Sequence, residues 1–442
     1  MLPSKAAAPV EIVSFSSNRV LYISYNGMLE PLGQSQVIPY LRELSDEGVR
    51  FTLLSFERPA AWQPDGLLEC KKLKQRLADQ GIEWRRLRYH KSPSLPATLY
   101  DIAAGISCGQ AIVRRNRIEM VHVRSTVPAA IALGLKKLFG IKMIFDVRGL
   151  VADEYVDADH WKKASIKYRL TKSMELRCLG ASDGVVTLTE SIWPIMREWP
   201  ELRERKLAHQ VVPCCVDLER FKFDEAARAR RRADLRLEDK FVLVYSGSVG
   251  GWYLTDKMAD FFAVLLILRP NAHFLWLTNN GRDQVEAVFG RRGISTDRYT
   301  IKPVSSADVP SYLSASDAGI SFIKPCFSKL ASSPTKNAEY LACGLPLVIN
   351  SGIGDSDALV LREGVGALVK RFTNQEYEAA ASTIVGLQGD VDSMRSHSRA
   401  VAEKLFDVRG VGRERYARLY DEVLTEGNGA LVAEREAVTA PQ

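Results

Sequence analysis

No stretch of this 442-residue chain stays apolar for long. The longest run, Phe261 to Leu268, stops at Arg269 and Pro270, and a membrane-crossing helix needs about 20 such residues. A helical integral membrane protein is therefore excluded. Seven cysteines (Cys70, Cys108, Cys178, Cys214, Cys215, Cys326, Cys343) are too few and too scattered for a disulfide framework or a metal module, so reduced thiols are expected. No block of biased composition is long enough to be disordered except at the ends, and no aromatic-plus-arginine pattern of a nucleic-acid binder occurs.

What is present is length, alternation and uneven charge. A chain of this size exceeds one hydrophobic core and predicts two domains with a cleft between them. Residues 1–215 carry 31 Lys+Arg against 23 Asp+Glu, and the remainder 29 against 30. The excess of positive charge thus lies in the first half, where it suits an anionic acceptor or an anionic membrane surface, or is an ordinary solvated face. The first residues have one lysine and no apolar core before the first β-rich run, which reads as a short leader and a cytoplasmic protein.

Short β-rich runs alternate with helical patterns: RVLYISY, RFTLLSF, GIEWRRL, IEMVHVR, IKMIFDV, DGVVTLT and HQVVPCCVD, then, after a charged stretch, FVLVYSG, AHFLWLT, RYTIKPV, DAGISFI and LPLVIN. Such spacing predicts α/β architecture with two doubly wound, Rossmann-like parallel sheets. The expected layout is a first domain over 1–215, a second over 216–399, a helix over 400–425 packing back on the first domain, and a disordered tail over 426–442. Ligands of such sheets bind beyond the carboxyl ends of the strands, so both domains should face the cleft with those ends.

The most informative segment is SPTKNAEYLACGLPLVIN, Ser333 to Asn350. Ser333 reads as an N-cap and Pro334 as the first helical residue, leaving free amides that suit phosphate. Gly344 and Pro346 end the helix. Glu339 lies five residues after Pro334, a rise of about 7.5 Å, which matches a diphosphate at the helix start and a ribose diol at Glu339. The bland reading is a capped helix with a surface carboxylate. A second turn, YSGSVGGWY (Tyr245 to Tyr253), has glycines that let backbone approach phosphate, yet it is neither GxGxxG nor GxxxxGK[ST].

With these segments in this order, including VVPCCVDLERF (Val211 to Phe221) and SADVPSYLSASDAGISF (Ser306 to Phe322), nearly the whole chain resembles the retaining GT-B glycosyltransferases of the family 4 type. MLEPLGQSQVIPYLRELSDEGVRFTLLSFE (Met28 to Glu57) and INSGIGDSD (Ile349 to Asp357) resemble the subset found in bacterial surface-polysaccharide synthesis. The resemblance implies a nucleotide diphosphate sugar, on UDP or GDP, as substrate, no separate cofactor and no metal. It implies donor contacts from Gly247, Ser248, Gly250, Asn279, Lys302, Val304, Ser333, Pro334, Thr335, Lys336 and Glu339. Acceptor-side contacts would come from Gly27, Gly33, Gln34 and Arg124, on a glycan or lipid-linked acceptor, with peripheral association at the inner face of an anionic membrane and no nucleic acid.

Two departures stand out. The acid that family members often carry eight residues before the ribose glutamate is here Ala331, and a histidine common after the strand IKMIFDV is replaced by Asp146-Val147-Arg148-Gly149. Arg148 or Asp146 would then join Lys336 as catalytic groups, unless the two form an ion pair that shapes the loop. Asp355-Ser356-Asp357 is the nearest match to a metal-binding Asp-x-Asp, and its late position suits a substrate contact better. A GT-B epimerase or phosphorylase, or a non-catalytic sugar-nucleotide binder, are the alternatives.

Overall fold

The computed structural model describes residues 18–425, so the expected leader and tail lie outside the described residues. Seven parallel strands form the first sheet: β1 (Arg19–Ser24), β2 (Arg50–Glu57), β3 (Glu83–Arg88), β4 (Met120–Arg124), β5 (Lys142–Asp146), β6 (Gly184–Thr187) and β7 (Ala208–Val211). Their order is β3-β2-β1-β4-β5-β6-β7. The second sheet has β8 (Phe241–Ser246), β9 (Ala272–Leu277), β10 (Tyr299–Lys302), β11 (Ala318–Ser321), β12 (Leu347–Asn350) and β13 (Gly366–Val369), in the order β10-β9-β8-β11-β12-β13. All paired strands in both sheets are parallel. Central strands such as VLYI in β1 and VLVY in β8 are buried throughout, as expected where helices cover both faces.

β13 has no counterpart in the expected pattern. Its sequence, GALV, is four residues long and opens with a glycine at φ 150°, too short for a recognisable β-rich run. Asp317, the first residue of the run DAGISFI, stands directly before β11 with its amide bonded to the Val242 carbonyl of β8, and its carboxylate accepts from Arg228, Arg232 and the Val242 amide, which clamps the root of the second sheet.

The chain leaves the second sheet at Asp407 rather than at residue 400, because one helix runs unbroken from Val391 to Phe406 and packs Val401 and Ala402 into that sheet's core. A turn of π-helix (Val408–Arg413) follows, and the helix over 414–425 places Tyr416, Leu419, Tyr420 and Val423 in the core of the first sheet. No helix among the described residues is long and apolar enough to cross a membrane.

Candidate active site

Each sheet has one place where neighbouring strands send their connections in opposite directions, β1/β4 in the first and β8/β11 in the second. Loops diverge there and leave a crevice. From β8 comes the turn Gly247 to Tyr253; from β11 comes the segment that ends in the helix Thr335–Ala342. Gly247 has φ 149°, and a Cβ added to it would lie 3.1 Å from the Tyr245 hydroxyl and 3.4 Å from Lys336 Cε. Glycine is therefore what allows this backbone to lie against the lysine. Gly250 also has a positive φ, 76°, and the Ser248 carbonyl accepts from the Tyr245 hydroxyl at 2.6 Å, which ties the turn to its own strand.

The start of the Thr335–Ala342 helix differs from the expected one. Pro334 is the N-cap, at φ −67° and ψ 114°, and Thr335 is the first helical residue. Ser333 does not cap the helix: its hydroxyl accepts from the Cys214 amide at 3.1 Å. The proline ring fixes φ at a value shared by helix and extended chain, and ψ is the angle that keeps Pro334 outside the helix. The amides of Thr335 and Lys336 lie in the first helical turn, where no intrahelical acceptor is available.

Lys336 is 7% exposed. Its Nζ sits 3.7 Å from the ring centre of Tyr253 and 5.3 Å from that of Tyr245, and no carboxylate lies within ion-pair distance among the described residues. Its charge is the main reason the Tyr253 phenol is held below its usual range. Glu339, one turn on, receives no hydrogen bond from the described residues. Burial pushes its carboxyl up to about 7, against the opposing pull of Lys336 and Arg220. It opens with Thr335 and Arg220 onto a cavity of about 250 Å³ whose other wall includes Gln34, Gln36 and Arg42 of the first domain. One helix thus carries an ammonium without an ion-pair partner and, beside the interdomain cavity, a carboxyl without a hydrogen bond, a combination that suits an occupant with both an anionic and a hydroxylated part.

The remaining expected donor residues sit at the carboxyl ends of the adjoining strands. Asn279 Oδ1 accepts from the Val304 amide at 3.1 Å and so joins the ends of β9 and β10; the Lys302 carbonyl accepts from the Thr278 amide at 3.0 Å. On the first domain, a Cβ on Gly33 would collide with the Gly27 carbonyl, so these two glycines pack back to back. Gln34 Nε2 donates to the Met28 carbonyl at 2.5 Å and fixes the loop after β1. Arg124 stands behind the cavity wall rather than facing it: it is buried and donates to the Gln36 carbonyl at 3.0 Å, while Gln36 Nε2 donates to the Cys215 carbonyl.

Asp146 is not placed as a catalytic group. Its side chain is fully enclosed and accepts from Arg148 Nε at 2.8 Å and from the Tyr416 hydroxyl at 2.7 Å, while Arg148 Nη2 donates to that same hydroxyl. Arg148 holds the Asp146 carboxyl well below the usual range despite burial, and burial holds the neighbouring His122 imidazole down. The pair thus shapes the loop after β5 and receives the C-terminal helix. Tyr416 was invisible to sequence reasoning because the contact joins residues 270 positions apart.

Ala331 is buried with Leu330 against the apolar cluster of the first sheet, so the missing acid's position does not open on the cleft. Other residues clasp the two domains. Lys329 Nζ pairs with Glu154 Oε1 at 2.9 Å and lies over the Trp252 ring. Asp355 accepts from the amides of Glu190 and Ser191 and from the Ser191 hydroxyl at 2.6 Å, whereas Asp357 accepts from Ser351 and the Gly352 amide. The Asp-x-Asp carboxylates are engaged separately, and no group of three or more potential ligands gathers among the described residues.

No protein-family model and no curated sequence matches the chain. Solved structures do. Sucrose-phosphate synthase from Thermosynechococcus elongatus superposes with a TM-score of 0.70 at 14% identity, over 93% of this chain and all of that one. The fold is GT-B. HepE from Anabaena, solved with UDP and glucose, gives 0.66 at 13% identity over 92% and 100%. WaaG, described as a glycosyltransferase involved in lipopolysaccharide biosynthesis, gives 0.61 at 15% over 88% and 96%. At these identities the architecture is what is shared: two GT-B domains and the cleft between them.

Proposed function

We propose that this GT-B protein is a metal-independent, retaining glycosyltransferase that moves a sugar from a nucleotide diphosphate to a hydroxyl of a glycan or lipid-linked acceptor, as in bacterial surface-polysaccharide synthesis. One observation carries the reading: the buried, unneutralised Lys336 lies against the Gly247 turn, one helical turn from the unpaired Glu339 at the interdomain cavity. In this scheme Lys336, the amides of Thr335 and Lys336 and the backbone of the Gly247–Gly250 turn hold the diphosphate. Glu339 accepts from the ribose diol, and Asn279, Lys302 and Val304 edge the base. The second domain binds the donor, and the first, through the loop around Gly27 to Gln34, faces the acceptor from the cytoplasmic side of the membrane.

During transfer the bond between the anomeric carbon and the diphosphate oxygen breaks, and its electron pair leaves with the diphosphate. The acceptor oxygen bonds the same carbon from the same face and gives its proton to the departing phosphate. Negative charge grows on the leaving group as the bond opens. A fixed ammonium and oriented amides in a cleft that excludes water stabilise that charge more than the ground state, typically by about 3–4 kcal/mol per well-placed donor. Arg148 is held too firmly by Asp146 and Tyr416 to be assigned a chemical step and is read as positioning the loop after β5.

A thermal-shift panel of UDP-, GDP-, dTDP- and ADP-sugars tests the proposal, since a ligand that binds only the folded state raises stability. UDP-glucose heads the panel because HepE was solved in complex with it. One donor is expected to raise the melting temperature of the wild type, and to raise it less in Glu339→Gln; absence of any shift across the panel refutes the donor assignment.

A further inference from the structure

The first domain bears one patch that its own packing leaves unexplained. It lies where the short helix Val151–Asp157 turns into the helix Ile166–Ala181. Between Asp159 and Glu175 the sequence has no acidic residue and five cations, Lys162, Lys163, Lys167, Arg169 and Lys172. Lys172 is turned inward to Asp153 and Glu175. The other four are exposed, and none forms an ion pair within 4 Å among the described residues.

Apolar groups are interleaved with these charges. Ile166 is 73% and Leu170 53% exposed, one helical turn apart. Beside them Trp161 stacks on the exposed Tyr155, ring centres 4.3 Å apart. Of the nearby acids, Glu154 and Asp157 are engaged with the second domain, by Lys329 and by the Ser328 amide, while the Asp159 side chain is 91% exposed and reaches Lys324 at 3.5 Å. Four cations and the apolar tips therefore face outward, with Asp159 the one exposed carboxylate of this segment.

We infer that this patch, Tyr155 and Trp161 to Leu170, is a docking surface for an anionic lipid bilayer. Interleaved cations, two aliphatic side chains and an aromatic pair with polar tips are what the interfacial layer of such a membrane takes up, the cations at the phosphates and the apolar tips just below. A protein partner would call for a drier, less charged centre. A role for the patch in acceptor delivery, unlike bilayer docking itself, rests on the transferase reading. The same short helix contacts Ser328 and Lys329, a few residues before Lys336, so a docked bilayer would stand at the mouth of the donor cleft and deliver a lipid-linked acceptor to it.

Co-sedimentation of the full chain with phosphatidylcholine vesicles, with and without phosphatidylglycerol, tests this independently of any enzymatic activity. Binding is expected only with phosphatidylglycerol and is weakened by salt. Lys162→Glu/Lys163→Glu/Lys167→Glu should lower the vesicle partition coefficient by at least on the order of 100-fold, and Ile166→Asp/Leu170→Asp should also abolish binding. Leu138→Asp, at an equally exposed leucine at the far end of another helix, should bind as wild type does. Circular dichroism confirms that each variant is folded; for any that is not, the charge-neutral Lys162→Gln/Lys163→Gln replaces it, with a smaller loss expected. No sedimentation with phosphatidylglycerol, or equal sedimentation of the patch variants and wild type, overturns the inference, whatever the donor panel shows.

Discussion

Replacing Glu339 by Gln isolates the charge on the residue assigned to the ribose. Burial raises its carboxyl from an ordinary 4.5 to about 7. In the unfolded chain it therefore loses its proton near pH 4.5, while in the folded protein it keeps it until about 7. Between those values the folded state holds more protons, so stability falls as pH rises through this window. The shift sets a ceiling of about 3 kcal/mol at ~1.4 kcal/mol per unit. The side chain is only partly covered where it opens on the cavity, which reduces this to ~1–2 kcal/mol. Urea unfolding of wild type and Glu339→Gln at about pH 4 and about pH 8 measures the difference, and subtraction cancels the other titrating groups. The variant should match wild type at the acid end and exceed it by that amount at the alkaline end. The same variant should show a smaller melting shift with the nucleotide sugar, because one carboxylate acceptor for the diol is gone. A stability difference that does not change with pH would refute the account of Glu339 as a desolvated, unpaired acid. An unaltered donor shift would refute its role at the ribose.

Lys336→Met keeps the aliphatic packing against Tyr253 and removes the charge; turnover should fall by about 100- to 1000-fold with the fold intact, as steady-state kinetics with the donor identified by the panel would show. Tyr416→Phe takes the hydroxyl from both Asp146 and Arg148 and should cost about 1–3 kcal/mol in urea unfolding, which a loosely held C-terminal helix would not show. Asp355→Ala removes the acceptor shared by Glu190 and Ser191 across the cleft; small-angle scattering should report a larger radius of gyration. Chelation of divalent ions should leave turnover unchanged, since Lys336 and the helix amides supply the positive field; loss of activity in chelator restored by magnesium would contradict that assignment.

Most of the sheet architecture was legible because buried parallel strands are continuous apolar runs, and the helix after Ser333 was legible through Pro334 and Gly344. Most of what failed did so through contacts distant in sequence. Ser333 is the right type for an N-cap, but the Cys214 amide competes for its hydroxyl. Asp146 and Arg148 stand at a strand end where catalytic groups often occur, yet a tyrosine from the last helix encloses them. The aromatic setting of Lys336 depends on Tyr253, some eighty residues earlier, whose ring is brought there by the adjacency of β8 and β11 and by no local signal. β13 was missed because four residues beginning with glycine carry no period.

The chain passes between the halves twice, and the two passages run side by side: the Val216 amide donates to the Phe406 carbonyl at 2.8 Å and the Val408 amide to the Val216 carbonyl at 3.2 Å. Two parallel straps pinned to each other behave as a door hinge rather than a swivel. They permit one swinging axis and resist twisting, so the jaws should meet in the same register at every closure. A single nick in either strap would leave the halves tethered through the other.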